Sequence, residues 1–203
     1  TGPGETDVET TKIMGERQIE MATKLYKGAR ESLSGTIEAR QIYVDLRNYA
    51  VSAKFTHAGD QTTCPSAYGY AFAGGSTEDG GGHFLFREGM TNQNFLLDAL
   101  VRWLTATPKW TKSVKHCQKP KPILLETGSG EPPLQSQIRS VTLALIGQFA
   151  ILALPAEVTT MAGRRLRATV MNALAGRATH VVLAGYSNGY AGYVTTPEEY
   201  MVQ

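Results

Sequence analysis

The sequence predicts an α/β chain of mixed, largely antiparallel sheets with flanking helices, and three stretches carry that expectation. Thr36–Leu46 alternates through Ile37, Ala39, Ile42 and Val44 and is rich in β-branched residues, the pattern of a strand. Ile138–Ala153 holds two β-rich runs separated by Gly147-Gln148, a two-residue hairpin turn with glycine first. Phe149–Leu174 begins as an apolar strand, breaks at Pro155, and continues as a helix. Its apolar positions Ala162, Leu166, Val170, Ala173 and Leu174 form one stripe at a period of 3.6 residues. Thr159 and Thr160 offer side-chain oxygens to cap that helix, and Gly176 sits where a left-handed C-terminal cap is wanted.

Composition bounds the answer. With 203 residues the chain can bury a substantial core as one domain or as part of a larger one. A hydrophobic content of 42% with 19% charged residues argues against disorder and fibrous classes. A net charge of +2 is too small to point to nucleic acid or to an anionic membrane. The sequence opens at Thr1 without Met or signal peptide, which reads as a trimmed start. The longest apolar run, Val141–Leu154, is too short to span a bilayer and is interrupted by Gly147-Gln148.

The remaining elements follow in order. Residues 1–8 read as an extended lead-in, and Glu9–Ala29 as a helix with Met14, Met21, Ala22 and Leu25 on one face. Val51–Phe55 is the expected partner of the Thr36–Leu46 strand. Ser66–Ala73 reads as a strand with small residues between aromatics. It runs into Gly74–Gly82, a glycine-rich stretch lacking the lysine and spacing of a phosphate-binding loop and expected to be a flexible wall or lid. Asn94–Ala106 is an amphipathic helix, Lys109–Lys121 a basic connection, Pro122–Leu125 a short strand, and Glu126–Gln137 a Gly/Pro-rich excursion. His180–Ala184 is a buried-type strand, followed by Gly185–Tyr200, where four tyrosines and three glycines mark an ordered loop suited to function.

Chemistry is sparse when read from residues alone. Cys64 and Cys117 are either two free thiols or one bridge closing a loop of about fifty residues. His57, His83, His116 and His180 are scattered, without the paired spacing of a zinc site. Ser187 is not in a nucleophile elbow, and Arg164, Arg165 and Arg167 read as a solvated face. Glu157, at the carboxyl end of a strand, is the one suggestive carboxylate, and its plainest role is in the turn.

Two stretches nevertheless resemble the neutral ceramidase family of zinc-dependent amidases. Leu154–Arg165 (LPAEVTTMAGRR) is similar to that family's LPGEFTTMAGRR segment, and Gly185–Tyr200 is similar to its GxxNxYxxYxTTxEEY loop. Further similarities lie at Ile13–Gln18, Thr63–Pro65, Gly69–Gly74 and Lys119–Leu125, so the resemblance is collinear over nearly the whole chain.

The resemblance implies an enzyme that hydrolyses the amide of ceramide to sphingosine and fatty acid, with Zn2+ held by two histidines, one glutamate and one tyrosine. By motif position the glutamate is Glu157 and the tyrosine Tyr193, thirty-six residues on. Gly80, Gly81, Gly82 and Phe84 are implied to wall the substrate channel, and Cys64 and Cys117 to pair, which implies an extracellular or secretory-pathway location or the exterior of the plasma membrane. Both histidine ligands and the active-site serine of the family have no counterpart here, so no catalytic residue is assigned. Residues 1–203 are then expected to be the C-terminal portion of a ceramidase-like catalytic domain, without its N-terminal portion or the family's immunoglobulin-like domain. The expected partners are ceramide, that N-terminal portion and, as a further surface, a membrane; nucleic acid is excluded. The competing expectation is a non-catalytic module of the same fold that binds lipid or self-associates. Ala156 and Val158 replace the family's Gly and Phe on either side of Glu157.

Overall fold

The computed structural model describes all residues except 1, 57, 77–79, 88, 93, 106–111 and 201–203. The chain divides into two compact units, Thr1–Gly35 and Thr36–Gln203. The first is a single helix, α1 (Asp7–Gly28). Its start is written in the sequence: the Thr6 hydroxyl accepts the Glu9 N–H at 3.2 Å, and the Glu9 carboxylate accepts the Glu5 N–H at 2.9 Å. Acidic Asp7 and Glu9 in its first turn and Lys27 in its last complement the helix dipole.

The second unit runs β1 (Ile37–Asp45), β2 (Ala50–Val51), a 3₁₀ turn (Ala53–Phe55), β3 (Gln61–Thr62), β4 (Ala67–Gly69), α2 (Tyr70–Gly74), β5 (Gly75–Ser76), β6 (Gly80–Gly81), α3 (Phe95–Thr105) and α4 (Lys112–Cys117). It continues with β7 (Ile123–Glu126), β8 (Ile138–Ile146), β9 (Phe149–Ala153), β10 (Glu157–Val158), α5 (Thr160–Leu174), β11 (His180–Ala184), β12 (Tyr193–Val194) and α6 (Pro197–Tyr200). The main sheet has the order β1-β8-β9-β11. β1 and β8 pair antiparallel over nine residues, from Ile37↔Ile146 to Asp45↔Ile138. β8 and β9 form the expected hairpin, Ile146↔Phe149 to Thr142↔Ala153, turned by Gly147 at φ 57°. β9 and β11 pair parallel in the register His180↔Phe149 to Ala184↔Ala153, joined through β10 and α5. Mixed, largely antiparallel sheets with flanking helices are therefore what the chain builds.

The core lies under α5, where buried Leu145, Ala150, Ala178 and Val181 meet Leu143, Val170, Met171 and Leu174. Val170 and Leu174 are on the expected stripe, whereas Met171 packs where Ala173 was expected and Ala173 is exposed. Gly163 lets α5 approach the sheet, since a Cβ there would sit 3.1 Å from the Leu183 side chain. The left-handed position that ends α5 starts one residue earlier than expected, at Ala175 (φ 47°), with Gly176 at φ 84° beyond it.

Several local expectations are corrected. The partner of β1 is β8, not Val51–Phe55; β2 pairs with β3, and Ala53 begins a 3₁₀ turn with its N–H donated to the Asp60 carboxylate at 2.7 Å. Ser66–Ala73 is a strand only as far as Gly69. There the ladder with β7 reaches Pro122, which has no N–H to extend it, and the Tyr70 N–H turns onto the Pro122 carbonyl at 3.1 Å. Tyr70 is then buried completely, with its hydroxyl bonded to Asp98 and to the Asn94 carbonyl (3.0 Å), and α2 begins. Within the basic connection, residues 112–117 form α4, which carries Cys117 into a disulfide with Cys64. No helix among the described residues is long and apolar enough to cross a membrane.

The bridge spans 53 residues of sequence, and closing a loop of that size removes unfolded-state entropy worth about 4 kcal/mol in the loop-closure model. Cys117→Ser is expected to lower the unfolding free energy by up to about 4 kcal/mol in urea titrations. Unchanged stability would mean that the β4–β7 and α4 region is held without the bridge.

Candidate functional site

Glu157 and Tyr193 are brought together by the parallel pairing of the main sheet. β9 and β11 leave the sheet side by side and in the same direction, and each continues after a short turn as β10 or β12. The turns are stitched across the gap: Leu154 donates to the Ala184 carbonyl (2.9 Å), Ser187 to Leu154 (2.9 Å), Tyr186 to Ala156 (3.2 Å) and Ala191 to Pro155 (2.6 Å). Pro155 and Ala156 are buried beneath them. The outcome is a parallel pair in which Glu157 stands opposite Tyr193 and Val158 opposite Val194. The ladder is closed by the Glu157 N–H on Gly192 at 2.9 Å and the Thr159 N–H on Val194 at 3.0 Å. Groups placed beyond the carboxyl ends of adjacent parallel strands are where sheet proteins assemble ligand sites.

The tyrosine loop is shaped by backbone that most residues avoid. Tyr186 (φ 55°) and Asn188 (φ 60°) are left-handed, a conformation costing of order 1–3 kcal/mol for a residue such as tyrosine. This turn aims phenols at one carboxylate. The Tyr190 hydroxyl donates to Glu157 Oε1, and Tyr186 and Tyr193 add further hydrogen bonds. The Tyr186 and Tyr190 rings stack at 6.1 Å with a tilt of 7°. Glu157 is accordingly held below the usual carboxylate range, first by Tyr190, then by Tyr186 and Tyr193. In return the carboxylate pushes the Tyr190 phenol up to about 12 and raises that of Tyr186. The partnership of Tyr186 and Tyr190 with Glu157 was not assigned from sequence; the tyrosine density of the loop was the signal for it.

As a metal site, the geometry offers two oxygen donors, a carboxylate and a phenol on neighbouring strands. Among the described residues no group of three or more His, Cys, Asp or Glu could hold a metal ion. His83 stacks on Phe84 at 4.7 Å, His116 lies in α4, and His180 begins β11 at the end opposite Ala184. His57 lies outside the described residues. The donor set thus fits part of a tetrahedral zinc shell and leaves the remaining positions to other ligands.

Tyr190, Gly192 and Tyr193 line a cleft of about 650 Å³ whose far side includes the Cys64–Cys117 bridge, Tyr68 and Phe72. That volume is in the range of a site for a small organic ligand. The residues expected to wall a channel lie at and just after β6. Gly80 and Gly81 form β6, paired with β5, and Gly82 continues that contact by donating to the Gly74 carbonyl at 2.9 Å. Phe84 is 83% exposed, and Gly81, Gly82 and Phe84 are not among the residues lining the cleft at Tyr193. Residues 77–79 of the glycine-rich stretch lie outside the described residues. Arg165 is exposed, as expected of a solvated face, and also makes a two-pronged contact with Glu198 at 3.1 Å for each prong.

Comparison with known proteins adds a family. The model of the neutral/alkaline non-lysosomal ceramidase, N-terminal, matches residues 1–203. A neutral ceramidase of Oryza sativa subsp. japonica is 43% identical over 213 residues, covering 100% of this chain and 27% of the relative. The crystal structure of the neutral ceramidase from Pseudomonas aeruginosa superposes with a TM-score of 0.77 at 32% identity, covering 100% of this chain and 29% of that one. A structure described as ceramidase complexed with C2 gives 0.81 at 35% identity, covering 100% and 31%. The chain therefore spans under a third of the length of these relatives. It lies in the part that the family model calls N-terminal, whereas residues 1–203 were expected to be the C-terminal portion of the catalytic domain.

The phenol–carboxylate contacts set a direction with pH. Glu157 contributes stability above its ordinary value of 4.5 and loses it as pH falls through its lowered one. Tyr190 contributes below its ordinary value of 10.0, and this is lost as pH rises toward about 12. In metal-free protein, the phenolate absorbance difference between wild type and Tyr190→Phe should report one tyrosine ionising near pH 12, and Glu157→Gln should return it toward 10. Ionisation of Tyr190 near 10 in the wild type would contradict the contact.

Proposed function

The chain belongs to the neutral/alkaline non-lysosomal ceramidase family, and we propose that it forms one wall of the active site of a zinc-dependent amidase that cleaves the N-acyl bond of ceramide. The observation that carries this reading is the register Glu157↔Tyr193, which sets a carboxylate and a phenol side by side without help from any other part of a protein. In this reading those two side chains occupy two zinc positions, and two histidines and a serine from the N-terminal portion of the same catalytic domain complete the centre. The chain is then the C-terminal portion of that domain, a finer placement inside the region the family model covers.

The bound ion would supply Lewis-acid polarisation of the amide carbonyl. The chain's own residues do the holding. Tyr190 and Tyr186 fix the Glu157 carboxylate by hydrogen bonds and extend its ionisation to lower pH. Two strands tied into the main sheet give the site a rigid floor. Gly80, Gly81, Gly82 and Phe84 are proposed to wall the route of the acyl chains, and the largely bare Phe84 ring is the apolar surface available for it. The Cys64–Cys117 bridge supports an oxidising location, outside the cell or in the secretory pathway.

A second reading, a non-catalytic module that binds lipid or self-associates, is favoured by one observation. Edge strand β1 and helix α3 expose Ile37 (81%), Ile42 (58%) and Trp103 (78%). Bare apolar edges ask for a partner, and in the first reading that partner is the rest of the catalytic domain. By itself the chain is expected to run larger than one copy in light scattering; a clean monomer would remove this support for both readings. In the full-length protein, Glu157→Ala is expected to lose nearly all bound zinc and to slow hydrolysis of a fluorescent ceramide at least about 100-fold. Retention of both would overturn the zinc assignment, and absence of zinc-dependent hydrolysis in the wild type would favour the second reading.

A further inference from the structure

The parallel pairing that sets Glu157 beside Tyr193 is only two residues long on each strand. So short a pair has little stability of its own, and a slip of one residue would turn every side chain of β12 to the opposite face. The bonds across the turns hold the register on the side of the main sheet, and its far side needs a restraint of its own. It is found just past both strands.

Downstream of β12, Thr196-Pro197-Glu198-Glu199 forms a reciprocal cap at the start of α6. The Glu199 N–H donates to the Thr196 hydroxyl at 3.2 Å, and the Thr196 N–H donates to Glu199 Oε2 at 2.8 Å. The same Oε2 also accepts the hydroxyl of Thr159 at 2.6 Å. Thr159 directly follows β10 and caps α5 through the Ala162 N–H at 3.4 Å. One carboxylate oxygen therefore binds the residue just after β10 and a residue two beyond the end of β12. A second tie runs parallel to it, where Arg165 of α5 grips both carboxylate oxygens of the neighbouring Glu198. An exposed ion pair adds little energy, yet the planar fork fixes the angle at which α6 meets α5.

We propose that Glu199, assisted by the Arg165–Glu198 pair, is a positioning residue that locks Tyr193 in register with Glu157. The inference rests on the reading of those two side chains as zinc ligands for its consequence, though not for its geometry. A helix cap serving α6 alone would have no need of Thr159. The bond across to the other strand is what gives Glu199 a role at the site.

The test has a metal-free arm and a zinc arm, both in the full-length protein, with Glu199→Ala, Thr159→Val, and the conservative Glu199→Gln and Thr159→Ser. In the absence of metal, amide hydrogen exchange at Glu157 and Thr159 should quicken at least about tenfold in Glu199→Ala and Thr159→Val, with the β8–β9 hairpin amides unchanged. The Gln and Ser variants keep an acceptor or donor in place and should restore slow exchange. In chelator competition, zinc affinity should fall roughly 10–100-fold in the first two variants and be regained in the conservative ones. Unchanged exchange at Glu157 and Thr159 in Glu199→Ala overturns the proposal, as does unchanged zinc affinity in a protein where Glu157→Ala abolishes binding. Should Glu199→Ala not fold, Thr159→Val decides on the same criteria. If exchange quickens but Glu157→Ala leaves zinc in place, the lock stands and the zinc reading falls.

Discussion

Everything at the site descends from the parallel contact between β9 and β11. Parallel strands need a crossover, and here it passes through α5, whose Val170, Met171 and Leu174 close over Leu145, Ala150, Ala178 and Val181. Burial of that apolar surface holds two strands side by side and pointing the same way. Once they do, the next residues of each chain segment must emerge together. The turn residues Pro155, Ala156, Tyr186 and Ser187 pair across the gap, and Glu157 and Tyr193 arrive opposite one another. An antiparallel partner for β9 in this position would have sent the two side chains to opposite ends of the sheet.

That arrival places a carboxylate among phenols at the surface rather than in a core. Such a carboxylate keeps its charge and accepts hydrogen bonds from the phenols, which outweigh the desolvation acting on it. The left-handed Tyr186 and Asn188 are the backbone cost of turning the loop tightly enough for this convergence. The cleft beside Tyr193 is bounded on its other side by the Cys64–Cys117 bridge, so the covalent link shapes a wall near the site as well as restraining the unfolded chain.

Much of this was legible in the sequence where structure is local. The hairpin at Gly147-Gln148, the Thr159-capped helix, and the strand His180–Ala184 follow from turn chemistry, capping and periodicity within a few residues. The partner of β1 was not legible, because β8 begins more than ninety residues after β1 ends and alternation alone names no partner. The break after Gly69 depends on Pro122 in a different strand, and the burial of Tyr70 on Asn94 and Asp98. Glu157 and Tyr193 were singled out by resemblance, while the phenols of Tyr186 and Tyr190 and the Arg165–Glu198 grip required tertiary geometry. Spacing of thirty-three residues carries no hint of an ion pair.

We propose that the register of two short strands makes half of a zinc centre. Anomalous diffraction at the zinc edge from crystals of the full-length protein tests it most directly. One ion is expected, with a Glu157 carboxylate oxygen and the Tyr193 phenol oxygen both within about 2.0–2.3 Å. A zinc ion ligated without either of them, or with Tyr190 in the place of Tyr193, would contradict it.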